Sequence, residues 1–151
     1  MIQTSLLPDN SLPGGFRFAA VTAGLKPSGK PDFAVVVADR PVSAAAMFTG
    51  NNVKAAPLRI GDRHLQRSKG KVRVVAVNAG NANCATGEAG LEACETVCSA
   101  AAKIFATEGH EVFPSSTGII GVPLPAEKLV AALPEVKHQL AATTEIGRAH
   151  V

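Results

Sequence analysis

Apolar runs separated by Pro- and Gly-rich segments divide the first half of the chain into predicted strands. Valine-rich runs over residues 33–38 and 72–77 predict strands that are buried in a sheet. Residues 16–24 and 43–48 predict two further strands, and residues 26–32 predict a hairpin-like turn. This part of the chain is therefore expected to consist mainly of strands and turns.

One long helix is predicted from apolar residues that recur at spacings of three and four. Glu88 lies near its start and Lys103 near its end, as the helix dipole favours. The residues that share its apolar face are Leu91, Cys94, Cys98, Ala101 and Phe105. Shorter helices are predicted over residues 57–69 and 125–133, and a short strand over residues 110–113 follows the long helix.

A polar, glycine-rich segment, "NAGNANCATGEAG" over residues 78–90, separates a predicted strand from the long helix and is expected to be irregular. It matches neither G-x-x-x-x-G-K-[ST] nor G-x-G-x-x-G, so no nucleotide site is predicted there. Its asparagines can accept hydrogen bonds from backbone N–H groups and tolerate left-handed conformations. The segment is interpreted either as a rigid polar turn or as a turn that borders a catalytic cleft.

A second unusual segment, "FPSSTGIIGVPLP", places hydroxyl groups and a glycine inside an apolar run over residues 113–125. One interpretation is a plain turn between strands. The other is a kink that presents the Thr117 hydroxyl and the Gly118 N–H together. Such a pair can stabilise a carbonyl oxygen that gains negative charge during attack on an acyl group, and glycine allows close approach to the backbone.

Composition predicts a packed globular domain. Hydrophobic residues make up 46% of the 151 residues and charged residues 18%, while Trp and Tyr are absent, so small residues must fill much of the core. The densest basic run, over residues 63–71, has no interleaved aromatic residue, so no nucleic-acid surface is expected despite a net charge of +3. No apolar run approaches the roughly 18 residues of a membrane span, and the start lacks the pattern of a secretory signal.

The cysteines and histidines predict neither a metal site nor a nucleophile. Three cysteines, an odd number, favour a reducing compartment, so a cytoplasmic location is expected. Cys94 and Cys98 lie one helical turn apart without a second pair of ligands, so they are interpreted as core residues. Cys84 lies in the polar loop without a suitably placed base. No ligand or triad spacing relates the four histidines, which are His64, His110, His138 and His150.

Four motifs occur in order along the chain: "LPGGFRFAAVTAGLK", "MFTGNNVKAAP", "VNAGNANCATG" and "SSTGIIGVPLP". Together they extend over nearly all of residues 10–135. In this order they resemble the N-terminal part of the glutamate N-acetyltransferase family, also called the ornithine acetyltransferase family. Four ordered motifs make the resemblance more specific than any one of them would.

The resemblance implies an acetyltransferase of arginine biosynthesis. Such enzymes move an acetyl group from N-acetylornithine to glutamate, and some also use acetyl-CoA, without a bound cofactor. The precursor cuts itself into an α chain and a β chain, which assemble as a hetero-oligomer, and the N-terminal Thr of the β chain is the nucleophile. The family's oxyanion hole is a Thr-Gly pair, which corresponds here to Thr117 and Gly118. The implied fold is α/β: a layered sandwich with helices packed outside two β-sheets, of the self-cleaving N-terminal-nucleophile-like type.

The same resemblance implies that this chain is most of an α chain. Residues 1–144 are expected to form the α-chain portion, and "EIGRAHV" over residues 145–151 is predicted to be a non-native tail, because it resembles translated sequencing-adapter DNA. Thr143 and Thr144 are not equated with the family's substrate-binding Thr-Thr-Asp-Thr stretch, since Glu145 follows them. The cleavage segment and the nucleophilic Thr are not found, so the chain alone is predicted to be inactive.

Two other functions stay open at this point. A related self-cleaving, aminopeptidase-like hydrolase would share the oxyanion chemistry but would use water as the final acceptor. A non-catalytic binding domain would need no nucleophile at all. The order of the four motifs favours the acetyltransferase over both.

Overall fold

Within residues 13–140, four strands form a mixed sheet whose spatial order follows the order of the chain. The computed structural model describes residues 13–140. The strands are β1 (Phe16–Val21), β2 (Phe33–Ser43), β3 (Lys71–Asn81) and β4 (Val112–Ile119). β1, β2 and β3 pair as antiparallel neighbours, whereas β4 pairs with β3 in parallel. A parallel neighbour requires a crossover connection, and the longest helix supplies it.

In the described part of the chain, three α-helices accompany the sheet: α1 (Ala56–Arg67), α2 (Gly87–Phe105) and α3 (Ala126–His138). A short 3₁₀ turn, Gly109–Glu111, connects α2 to β4. Pro57 lies in the first turn of α1. A backbone N–H at this position has no hydrogen-bond acceptor within the helix, so proline can occupy it without loss of a helical hydrogen bond. All three predicted helices are therefore confirmed, and α3 is longer than predicted.

The core lies between one face of the sheet and the helices α2 and α3. The strand register aligns Val37 with Val74 and Val74 with Val112, so alternate apolar residues share this face. Val35, Val74 and Val112 have no exposed surface. The helices contribute the apolar residues Leu91, Cys94, Cys98, Ala101, Leu129, Leu133 and Val136 to the same cluster. The interpretation of Cys94 and Cys98 as core residues is confirmed.

The opposite face of the sheet is also apolar, but its side chains are only half-buried. Thr117 belongs to this face, because it pairs with Ala79 in the β3–β4 register. The half-buried apolar residues of this open face are Phe18, Ala20, Ala34, Val36, Val75, Val77 and Ala79. Both faces of the sheet therefore carry apolar side chains, whereas only the face under α2 and α3 is fully covered within residues 13–140.

Three predictions about the elements are wrong in detail. β2 continues to Ser43 through a register shift between Val37 and Val42, and residues 44–50 have no regular structure, so no separate strand spans 43–48. β3 extends to Asn81 and α2 begins at Gly87, which leaves only residues 82–86 irregular. The predicted short strand at 110–113 becomes an eight-residue strand. Strand pairing explains these differences. β3 and β4 are longer than predicted because they pair with each other, whereas residues 44–50 belong to no strand in the described part of the chain.

Candidate active site

Thr117 and Gly118 lie near the carboxyl end of β4, directly beside the end of β3. Thr117 pairs with Ala79 and Gly118 with Gly80 in the parallel register. Both Thr117 and Gly118 are exposed. The interpretation of this segment as a plain turn is wrong, because the strand runs through both residues to Ile119. Gly118, with a φ of +133°, supplies the backbone irregularity of the second interpretation.

No residue with a side chain fits at position 118. A Cβ built there would lie 2.5 Å from the backbone nitrogen of Asn81 and 2.7 Å from the carbonyl oxygen of Gly80, and still closer to the Gly80 carbonyl carbon. The φ of +133° is also one that residues with a Cβ rarely adopt. Gly80, which faces Gly118, has a φ of +110°. The two strand ends therefore approach each other through glycine backbone on both sides.

The direction of the peptide groups along β4 places the Gly118 N–H on the outer edge of the sheet. The carbonyl oxygen of Val112 accepts a hydrogen bond from His64 Nδ1 of α1 at 2.7 Å, so we infer that it is directed away from β3. Successive peptide groups of a strand point in alternate directions. Alternation from Val112 to Thr117 directs the Thr117 carbonyl towards β3 and the N–H of Gly118 away from it. The Thr117 hydroxyl has no hydrogen-bond partner within residues 13–140, so two adjacent residues offer a hydroxyl and a backbone N–H as donors.

Three buried asparagines hold the strand end and the following loop. Asn78 Nδ2 donates to the carbonyl oxygen of Asn81 at 2.8 Å. Asn81 Nδ2 donates to the Val122 carbonyl at 3.0 Å, and Asn81 Oδ1 accepts from the Asn83 N–H at 2.7 Å. Asn78, Asn81 and Asn83 are each at most 5% exposed. The asparagines are hydrogen-bonded to backbone groups, as predicted, although Asn78 and Asn81 belong to β3 and not to a turn.

Asn83 connects this network to the start of α2. Its φ of +45° is a left-handed conformation, which asparagine tolerates better than most residues. Asn83 Nδ2 donates to the Gly90 carbonyl at 2.8 Å, and the Thr86 hydroxyl donates to Asn83 Oδ1 at 2.9 Å. The Asn83 carbonyl accepts the N–H of Ala56 at 3.1 Å, at the start of α1. The side chain of Asn83 thus holds the start of α2, and its backbone carbonyl holds the start of α1, at the end of β3.

Asp32 is a buried carboxylate that sequence reasoning missed. It is 1% exposed and accepts backbone N–H groups from Ala23 at 2.6 Å, Leu25 at 2.6 Å and Lys26 at 2.8 Å. Its own carbonyl accepts the N–H of Ala79 at 2.8 Å. The loop after β1 is thereby held against the end of β3. The available signal was an Asp between a Pro-rich turn and an apolar run, where Asp side chains often bond nearby backbone.

His64 and Cys98, two residues of types that often bind metals or act as nucleophiles, have structural surroundings. His64 is buried, and its hydrogen bond to the Val112 carbonyl connects α1 to β4. The hydrogen bond with Cys94, together with burial, raises the pKa of the Cys98 thiol, so this thiol stays protonated and unreactive. His150 lies outside the described residues. Within residues 13–140, no three His, Cys, Asp or Glu side chains are close enough to hold a metal ion together.

Thr117 and Gly118 lie on an open surface. A cavity of about 310 Å³ between the starts of α1 and α2 is lined in part by Lys54 and Arg59, and a groove of about 690 Å³ separates α2 from α3. Neither Thr117 nor Gly118 lines either of these spaces. None of the helices described is long and apolar enough to cross a bilayer.

Fold and site together define an α/β protein in which a glycine-dependent strand end exposes a Thr-Gly pair. Residues 17–150 match the ArgJ family, and the chain belongs to that family.

Curated relatives agree with this assignment. The chain is 47% identical over 125 residues to the arginine biosynthesis bifunctional protein ArgJ of Thermus thermophilus, a match that covers 83% of this chain and 32% of that protein. It is 45% identical over 122 residues to the protein of the same name from Rhodopirellula baltica, covering 81% of this chain and 29% of that protein. The chain thus spans about a third or less of the length of these relatives.

Two solved structures resemble the chain closely. Ornithine acetyltransferase of Mycobacterium tuberculosis, in complex with ornithine, has a TM-score of 0.80 and 40% identity, and the match covers 88% of this chain and 71% of that one. The arginine biosynthesis bifunctional protein argJ of Bacillus halodurans has a TM-score of 0.75 and 33% identity, and the match covers 80% of this chain and 62% of that one. The α/β architecture expected from the sequence is therefore confirmed at the level of one mixed sheet with its helices.

Proposed function

We propose that this chain is the N-terminal part of an enzyme that transfers an acetyl group from N-acetylornithine to glutamate in arginine biosynthesis, and that Thr117 and Gly118 form its oxyanion hole. The observation that carries the proposal is the glycine pair at the end of the sheet. Gly80 and Gly118 bring β3 and β4 together without side chains, and β4 is an edge strand within residues 13–140, with the Gly118 N–H directed away from β3. Family membership supplies the chemistry.

The proposed step is attack of a Thr hydroxyl on the acetyl carbonyl carbon. The carbonyl oxygen takes up the electron pair of its double bond and becomes an oxyanion in the tetrahedral intermediate. The Gly118 N–H and the Thr117 hydroxyl both donate to that oxygen. Donors that are already in place before the charge develops stabilise the transition state more than the ground state. The N-terminal amine of the nucleophilic Thr takes the proton of the attacking hydroxyl and gives it to the ornithine nitrogen, so that the C–N bond breaks and ornithine leaves as a neutral amine. The amine of glutamate then attacks the acetyl ester on that Thr and loses a proton to the same base, and the C–O bond breaks to release N-acetylglutamate and the free Thr hydroxyl.

The nucleophile belongs, in this proposal, to a β chain cut from the same precursor. The open face of the sheet supports a covering layer, because an apolar sheet face is stable when it is buried against another element. Ile119 and Ile120, next to the site, are 63% and 64% exposed. Thr117 stands on the same open face, so a covering second sheet would bring its own residues beside the donor pair. The result would be a sandwich of two sheets with helices outside.

Substrates and location follow from the same assignment. The enzyme takes N-acetylornithine and glutamate, with acetyl-CoA as a second acetyl donor in some family members and no bound cofactor. We place it in the cytoplasm, a reducing compartment, in agreement with the three free cysteines Cys84, Cys94 and Cys98.

An acetyl-transfer assay tests this function. The full-length protein, of the length of its curated relatives, is supplied with N-acetylornithine in the presence and absence of glutamate. We expect N-acetylglutamate and ornithine to form only when glutamate is present, and no turnover by the separately purified 151-residue chain. Acetate release that does not need glutamate would identify a hydrolase instead. Turnover by the chain alone would refute the assignment of the nucleophile to the β chain.

A further inference from the structure

We propose that Ser116 and Asn78 are positioning residues that hold Thr117 and Gly118 in place for the reaction. This inference rests on the proposed function. The Ser116 hydroxyl donates to Asn78 Oδ1 at 2.6 Å, and the two residues lie directly opposite each other in the β3–β4 register. Ser116 immediately precedes Thr117. The hydrogen bond therefore joins the two strands one residue before the donor pair.

Asn78 acts on both strands at once. While its Oδ1 accepts from Ser116, its Nδ2 donates to the carbonyl oxygen of Asn81, three residues further along β3. Gly80 lies between Asn78 and Asn81 along β3, and Gly118 of β4 lies opposite Gly80. The Asn78 side chain is thus bonded to both strands beside the close approach of the two glycines. At 4% exposure, Asn78 also makes these bonds with little competition from water.

The backbone needs this additional constraint at the end of the sheet. Gly80 and Gly118 have φ values of +110° and +133°, far from those of regular strands. Glycine has no side chain to pack, and within residues 13–140 β4 has a strand neighbour on one side only. Parallel pairing is also slightly weaker than antiparallel pairing. A buried hydrogen bond between side chains can fix the position of β4 relative to β3 where the backbone at Gly80 and Gly118 departs from regular strand geometry.

Ser116→Ala in the full-length protein tests the role kinetically. We expect kcat to fall about tenfold with KM changed less than about twofold, since a displaced donor loses part of the 10²–10³-fold effect of an oxyanion donor. Ser116→Thr keeps the hydroxyl and should retain kcat within about twofold of the unmodified protein. Ser99→Ala, at an exposed serine of α2, is the matched control and should leave kcat and KM unchanged.

Hydrogen exchange supplies a readout that does not depend on the reaction. In Ser116→Ala, amide exchange of the peptide containing residues 116–120 should become faster, whereas Ser116→Thr and Ser99→Ala should leave it unchanged. Faster exchange without acetyl transfer in any variant, including the unmodified protein, would contradict the proposed function and still support the positional role. Unchanged exchange and unchanged kcat in Ser116→Ala would overturn the inference. So would an equal fall of kcat in Ser116→Thr.

Discussion

Substituting alanine for Gly118 in the full-length protein is expected to reduce kcat for acetyl transfer at least about 10³-fold. The new Cβ would collide with the backbone of Gly80 and Asn81, so the end of β4 must move away from β3. That movement displaces the Gly118 N–H and the adjacent Thr117 hydroxyl together, and a displacement of about 1 Å can cost on the order of 10² in rate. The left-handed φ adds about 1–3 kcal/mol of backbone strain, to be measured by denaturant unfolding.

Gly121→Ala is the matched control for this substitution. Gly121 also has a positive φ, +80°, but a Cβ built there meets no atom within 4 Å. It therefore carries the conformational cost of a left-handed residue without the collision. We expect Gly121→Ala to lower the free energy of unfolding but to leave kcat within a few-fold. If Gly118→Ala behaves like Gly121→Ala in the kinetic assay, the close approach of Gly80 and Gly118 has no part in catalysis.

Thr117→Ala should lower kcat about 10²–10³-fold, the effect observed when one oxyanion donor is removed from an enzyme of known mechanism. Thr117 is exposed and its hydroxyl makes no hydrogen bond within residues 13–140, so the substitution leaves no buried polar group unpaired. The stability of the protein should therefore change little, and the loss should lie in the chemical step. KM is expected to stay nearly constant, because the donor acts on charge that develops only in the transition state.

Thr117→Ser distinguishes the effect of the hydroxyl from that of the methyl group of the Thr117 side chain. Serine keeps the donor, so most of the activity should remain. Steady-state kinetics with N-acetylornithine and glutamate measure kcat and KM for both variants. A rise in KM with unchanged kcat in Thr117→Ala would show that the hydroxyl binds the ground state and the transition state equally, and so does not accelerate the chemical step.

The helices and the central strands could be predicted because their signals are local. The three- and four-residue spacing of Leu91, Cys94 and Cys98 places them on one helical face whatever surrounds it. The valine runs of β2 and β3 are likewise apolar enough to be strands in most contexts.

β4 was harder to predict because its strand structure comes from its partner. Ser115, Ser116, Thr117 and Gly118 have the composition of a turn, yet each pairs with a residue of β3. Residues 43–48 show the reverse, since their apolar composition predicts a strand but residues 44–50 form none. Long-range pairing decided both cases, and composition does not encode which segments meet.

The motif containing Thr117 and Gly118 could be identified from the sequence, but the geometry that makes it chemically useful could not. That Gly118 lies against Gly80 depends on the β3–β4 register. That Asp32 holds the loop after β1, and that Asn78 reaches Ser116, depends on packing between residues far apart in the chain. These contacts exist only after the sheet has formed.

The predicted two-chain organisation and the tail at residues 145–151 stay predictions. The tail lies outside the described residues.

The most direct measurement is a crystal structure of the full-length protein with its acetyl group trapped on the nucleophile. The central claim predicts that the acetyl oxygen accepts hydrogen bonds from the Gly118 N–H and the Thr117 hydroxyl, each at about 3 Å. It also predicts that the acetyl group is attached to a Thr outside the 151 residues of this chain. An acetyl oxygen directed away from both residues, towards other donors, would contradict the claim.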